Sequence, residues 1–174
     1  MLDADKIAHE ALRREAPSYR KVVKAFGKHI LDSDGRISRT KLAGIVFNNK
    51  KSLKVLCDII HPEVIKRIKK NVALLSKSGK VSFVIIDAPL LIEAGLHSTV
   101  DYIVVVRTSE RVQIKRVMKK TRLSYAEVLK RIRSQMPLGK KAGMADYIVD
   151  NGGKRAATKR TLRKIWEEIK SDSE

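Results

Sequence analysis

Over the first 76 residues the apolar positions recur at three- and four-residue spacing, the period of one helical face, whereas beyond residue 80 they gather into short unbroken runs. Ile7, Ala8, Ala11 and Leu12 predict a first helix with Asp5 as its N-cap. Pro17 opens a second helix through Val22, Val23 and Phe26, which Gly27 closes. Segments 38–46 and 51–60 predict two more, and Pro62 starts a fifth, with Val64, Ile65, Ile68, Val72 and Leu75 facing inward. Gly79 caps this helical half. The run Val81, Phe83, Val84, Ile85 and Ile86 is too continuous for a strand with one wet face, so it predicts the buried middle of a parallel sheet, stopped by Asp87 and Pro89. Tyr102 to Val106 repeats that pattern, and Asp146 to Val149 is a third, short strand. Between and after them come a helix capped by Thr108 or Ser109, one behind a Ser124–Glu127 capping box ending near Gln135, and a terminal helix facing inward through Leu162, Ile165, Trp166 and Ile169. Strands separated by helices imply an α/β fold with a parallel sheet.

A chain of 174 residues is the size of one domain. No apolar run reaches membrane-spanning length and the N-terminus has no signal-peptide pattern. The single Cys57 rules out an internal disulfide, and neither it nor His9, His29, His61 and His97 stand at metal-ligand spacing. These features imply a soluble, cytoplasmic protein without a membrane partner. The net charge of +19, from 38 Lys and Arg against 19 Asp and Glu, narrows the partners to polyanions, either nucleic acid or small polyphosphates. The cations are spread in pairs such as Lys69-Lys70 and Lys119-Lys120, without a basic arm or an RNA-reading aromatic motif, so nucleic acid is the weaker expectation. Asp32-Ser33-Asp34-Gly35 reads as a turn, since the later ligands of a calcium loop are absent.

Candidate chemistry starts at Asp87, because open α/β sheets bind ligands beyond the ends of their parallel strands. A polar strand terminus followed by a turn has the same appearance. Taken in order, Leu2-Asp3-Ala4-Asp5 with His9, Asp34-Gly35-Arg36-Ile37 with Arg39, Val46-Phe47-Asn48, His61-Pro62, Pro89-Leu90-Leu91-Ile92-Glu93, Arg131-Ile132-Arg133-Ser134-Gln135-Met136, and Ala145-Asp146-Tyr147 with Asp150-Asn151 resemble the dephospho-CoA kinase family. The match covers essentially the whole chain. The resemblance implies a P-loop kinase-like parallel sheet with flanking helices, and transfer of the γ-phosphoryl of ATP, with Mg²⁺, to the ribose 3′-hydroxyl of dephospho-CoA, the last step of coenzyme A biosynthesis. It implies a core (1–18, 77–118 and 137–174), a helical CoA-binding insertion (19–76) and a lid (119–136). By position, Asp5 resembles the catalytic carboxylate, Arg131 the lid arginine that meets the phosphates, and His61 the histidine bordering the acceptor. Asp87, Pro89 and Glu93 fall in the acceptor loop, and Lys120, Arg131 and Asn151 on the ATP side. Asp87 is also a candidate for Mg²⁺, directly or through water, although no ligand set is fixed. Lys120-Thr121-Arg122 departs from the family's Arg-Asp-Gly, leaving Lys120 or Arg122 to act as a point charge.

These roles make chemical sense. A hydroxyl attacking a phosphoryl group needs an acceptor for its proton, which Asp5 supplies, and a guanidinium forks two phosphoryl oxygens without losing its charge. Plainer roles stay open, Asp5 as helix cap and His61 held by local hydrogen bonds.

The sequence contains no G-x-x-x-x-G-K-[ST] loop. In the family a strand, that loop and a helix precede Asp3-Ala4-Asp5, and the strand lies between the equivalents of Val81–Asp87 and Tyr102–Val106. Without them the phosphates lack their backbone N–H cradle, their lysine and the hydroxyl that holds Mg²⁺. The missing strand also forfeits ladder hydrogen bonds at about 0.5–1.5 kcal/mol each and buried side chains at about 1.5–3 kcal/mol each. The expectation is therefore that the chain as written is inactive or nearly so and folds poorly alone. Two alternatives accompany it: a non-catalytic remnant that binds CoA or another polyanion, and, last, a basic nucleic-acid-binding protein.

Overall fold

The computed structural model describes residues 1–172. The chain divides into two compact units, Met1–Leu96 and His97–Glu174.

In the first unit β1 (Leu2–Asp3) runs directly into α1 (Ala4–Ala11). The helix is capped by Asp3, whose carboxylate accepts the Lys6 amide at 2.9 Å, rather than by the expected Asp5. Asp3 is still extended (φ −96°, ψ 107°), as a cap must be, whereas Asp5 already lies in the first turn. α2 (Pro17–Phe26) starts at its proline and stops at Gly27, whose φ of 80° suits glycine. A turn at residues 32–35 follows, closed by an antiparallel bridge between Leu31 and Ile37, and leads into α3 (Arg39–Val46).

α4 (Lys50–Lys77) is a single 28-residue helix, where two were expected. It runs through Pro62 because Ile60, Val64 and Ile68 keep one buried stripe on both sides of the proline. Burying three such side chains, at about 1.5–3 kcal/mol each, outweighs the roughly 3 kcal/mol an interior proline costs. His61 consequently sits mid-helix, not at a helix start. The α4 stripe meets Ile7 and Ala11 of α1, Val22 and Phe26 of α2, and Leu42 and Val46 of α3 in one core.

β2 (Ile86–Asp87) pairs with β1 in parallel, Leu2 opposite Ile86 and Asp3 opposite Asp87. The expected strand from Val81 was longer and buried, but Val81 and Ile85 are 41% and 56% exposed. β1 offers only two residues to pair with, so the apolar run ahead of Ile86 finds no ladder among the described residues.

The second unit holds a second parallel ribbon, β3 (Val104–Arg107) beside β4 (Tyr147–Asp150), with Val104 opposite Tyr147 and Arg107 opposite Asp150. Between them lie α5 (Glu110–Lys120), capped by Ser109, and α6 (Tyr125–Arg133), closed by the anticipated Ser124–Glu127 box. A five-residue helix, α7 (Leu138–Ala142), was not foreseen, since it buries no side chain and leaves no periodic signal. α8 (Arg155–Ser171) ends the described chain. In β3, Val105 is buried but Val104 and Val106 are 40% and 55% exposed, so this apolar run too is covered on one face only. The architecture is α/β with small parallel ribbons and many helices. No helix among the described residues is long and apolar enough to cross a membrane.

Candidate functional site

The first unit gathers carboxylates where its two paired strands end. The register that sets Asp3 opposite Asp87 puts both at the C-terminal ends of parallel strands, and Asp5 follows two residues after Asp3 in the first turn of α1. Partial burial pushes the Asp5 carboxyl above its ordinary range; Asp3 and Asp87 add to the rise and His9 opposes it. With its neighbour Asp3 doing the capping, Asp5 is left out of that role. His9 stands one helical turn beyond Asp5, and the Arg39 guanidinium lies against its ring, 3.1 Å from Nδ1 and 3.4 Å from Nε2. Neither His9 nor Arg39 was given a role by sequence reasoning. The four-residue spacing of Asp5 and His9 was the available signal for the first, whereas nothing local ties Arg39 to either.

His61 lies elsewhere on the unit, near Glu93. Burial lowers the His61 pKa, against which Asp58 and then Glu93 act. The same two acids, after burial, raise the Cys57 thiol. Glu93 is half-buried in a tightly turned stretch held by Leu91 N donating to Ala88 O at 3.1 Å and Ala94 N to Leu90 O at 2.9 Å, while Pro89 at its start is exposed. The structure thus brings Asp5 to Asp87, and His61 to Glu93.

Three expected residues belong to the second unit. Lys120 is exposed in the last turn of α5. Arg131 is half-buried in the last turn of α6, where Ser134 Oγ donates to its carbonyl at 2.8 Å. Asn151 follows β4; its amide donates to Arg107 O at 2.8 Å and its side-chain oxygen accepts from Thr158 at 3.4 Å. The Gly152 amide donates to Asp150 Oδ1 at 2.7 Å, and a Cβ on Gly152 would stand 3.2 Å from the buried Thr108 hydroxyl. Glycine there lets the turn close against β3.

Among the described residues no group of three or more His, Cys, Asp or Glu is disposed to hold a metal ion by itself. A Mg²⁺ shared with substrate phosphates asks for less, one or two carboxylate oxygens, and Asp87 at the end of β2 has that donor chemistry.

The pattern that defines the dephospho-CoA kinase family matches residues 1–157 of this sequence. The chain belongs to the dephospho-CoA kinase family. Similar proteins include the dephospho-CoA kinase of Carboxydothermus hydrogenoformans, 44% identical over 170 residues that cover 98% of this chain and 82% of that one. That of Aquifex aeolicus is 38% identical over 172 residues, covering 99% and 86%. The solved dephospho-CoA kinase structure from Campylobacter jejuni superposes with a TM-score of 0.65 at 30% identity, over 99% of this chain and 86% of that one. A crystal structure from Thermus thermophilus gives 0.72 at 30% identity, over 97% and 83%. Membership makes the chain a transferase of the kinase class with a P-loop kinase-like fold, within coenzyme A biosynthesis.

Proposed function

We propose that this chain provides the acceptor side and the lid of an ATP-dependent phosphoryl transfer to the ribose 3′-hydroxyl of dephospho-CoA, with Mg²⁺ as the metal. The observation that carries this reading is the Asp3–Asp5–Asp87 carboxylate group at the ends of two parallel strands, with Asp5 freed from capping and its affinity for protons raised. A carboxylate of raised pKa is a better acceptor for the proton that the attacking hydroxyl loses. Asp87 would hold Mg²⁺, directly or through water, and the ion when bound neutralises phosphate charge. Asp5 orients the 3′-hydroxyl and takes its proton, and His61, Pro89 and Glu93 border the acceptor. Lys120, Arg131 and Asn151 serve the ATP side, Arg131 by forking phosphoryl oxygens. The regions follow the same reading: core 1–18, 77–118 and 137–174, helical acceptor-binding region 19–76, and lid 119–136.

The sequence holds no phosphate loop, and a γ-phosphate without such a cradle is poorly positioned for in-line attack. Residues 1–174 alone are therefore expected to transfer phosphate at background rate. The test joins the strand, glycine loop and helix of the Carboxydothermus relative to Met1 and follows the ATP-dependent conversion of dephospho-CoA. Transfer should appear in the joined protein and vanish when Asp5→Asn is added. Full activity of residues 1–174 by themselves would refute the assigned division of labour, and a joined, folded protein that leaves dephospho-CoA untouched would refute the function.

A further inference from the structure

Cations that the sequence scatters in pairs are gathered into a line by α8. Lys154, Arg155, Lys159, Arg160, Arg163 and Lys164 follow one another without an intervening acid, and all are exposed. None of them joins an ion pair among the described residues; the pair that α8 does form, Lys170 with Glu167 at 3.4 Å, lies in its last turns. Four-residue spacing sets Arg155, Lys159 and Arg163 on one stripe, about 6 Å apart along the axis at 1.5 Å per residue. Trp166, three residues beyond Arg163 and 39% exposed, continues that stripe. Ile165 is 8% exposed and anchors α8 within its unit.

The helix's own electrostatics oppose this arrangement. The N-terminal end of a helix dipole favours acids, yet the first turn of α8 holds none and opens on Lys154 and Arg155, with no side-chain cap. Like charges four residues apart repel one another as well. Glu167 and Glu168 stand toward the other end, where cations are favoured. A charge pattern that costs the helix stability is accounted for by an external anion that neutralises it. A bilayer would need an apolar face to enter, but of the large apolar side chains on α8 only Leu162 and Trp166 are exposed. A phosphate chain asks instead for a line of cations and a ring on which a base can stack.

We infer that this face of α8 binds single-stranded nucleic acid, with Arg155, Lys159 and Arg163 following its phosphates and Trp166 stacking on a base. The surface is additional to phosphoryl transfer. None of the four residues has a part in the acceptor, the lid or the ATP side, and the family's pattern ends at residue 157, ahead of Lys159, Arg163 and Trp166. The net charge of +19 draws any polyanion toward the protein, whereas the ring beside the stripe favours single strands, whose base faces are open.

The test is fluorescence anisotropy of a labelled oligouridylate of about 15 nucleotides, titrated with the chain at several NaCl concentrations. Lys159→Gln/Arg163→Gln should weaken binding at least about tenfold and flatten the slope of log K against log salt by about 1.4, at about 0.7 per phosphate contact on a single strand. The Lys69→Gln/Lys70→Gln control removes the same charge from exposed positions of α4 and should leave affinity and slope unchanged. Trp166→Leu should weaken binding about tenfold, and the oligouridylate should quench Trp166 emission in the unaltered chain. Circular dichroism confirms folding, and if Trp166→Leu unfolds the chain, the quench alone decides the stacking. Absence of binding at low salt, or equal weakening by the control, overturns the site. Duplex DNA bound as tightly as the oligouridylate, with Trp166 emission unchanged, overturns the single-strand assignment. Binding to phosphatidylglycerol vesicles without binding of the oligouridylate overturns it in favour of a membrane surface.

Discussion

The two units spend similar sequence on different ends. Met1–Leu96 surrounds α4 with three other helices and buries a contiguous set of apolar side chains, and its carboxylates stand where β1 and β2 end. In His97–Glu174 the buried apolar side chains among the described residues are Val105, Ile114, Val128, Val149 and Ile165, while Val104, Val106, Ile148, Leu162 and Trp166 stay at least 39% exposed. A helical bundle saturates its own hydrophobic faces, whereas a two-stranded ribbon covered on one face cannot. On the proposed reading the proton-accepting carboxylate belongs to the helix-rich unit. Lys120 and Arg131, which the proposed function puts on the ATP side, sit on the sparser one.

The strongest way to sharpen this contrast is Asp5→Asn. In the joined protein kcat should fall about 10²–10⁴-fold, as expected for loss of a general base. The same variant should not melt lower. The folded-state pKa of Asp5 is raised, so its ionised form is worse placed folded than unfolded, and stability is lost as pH climbs through that pKa. Removing the charge therefore adds stability at neutral pH, by under about 1 kcal/mol because solvent screens a partly exposed carboxylate.

Ile68→Ala, at a position 1% exposed, should cost about 2–5 kcal/mol in denaturant unfolding. Ser124→Ala should cost the second unit about 1 kcal/mol by removing half of the α6 capping box. Val106→Ala, on the uncovered face of β3, should stay within about 0.5 kcal/mol. If Val106→Ala proves as costly as Ile68→Ala, the contrast between the units fails. The finest effect is a shift in pH profile, read in Asp87→Asn beside the fall in kcat that losing a Mg²⁺ oxygen brings. Taking away a like charge lowers the Asp5 pKa, so the acid limb of the kcat profile should move to lower pH; an unmoved limb would separate the two carboxylates.

Much of the first unit was legible because helices announce themselves locally. Pro17, Gly27 and the alternation of Val22 and Phe26 mark α2 without any tertiary knowledge. Pro62 misled, since propensity is local and the burial of Ile60, Val64 and Ile68 that overrides it is not. The strands were located but their surroundings were misread. Continuous apolar runs at Val81–Ile86 and Tyr102–Val106 signal neighbours on both faces, and a run cannot tell whether those neighbours lie within the described residues. At the site, a motif pointed to Asp5 and the end of an apolar run to Asp87, and the register that sets Asp3 opposite Asp87 then accounted for their nearness.

One tryptophan and one cysteine, in different units, equip the molecule with two independent reporters. Trp166 fluorescence reports from the second unit. Cys57, half-buried in α4 with its thiol pushed up by burial and by Asp58 and Glu93, is slow to alkylate while the first unit is folded and quickens when it opens. Emission and thiol labelling recorded on one sample thus clock the two halves separately, with no added probe.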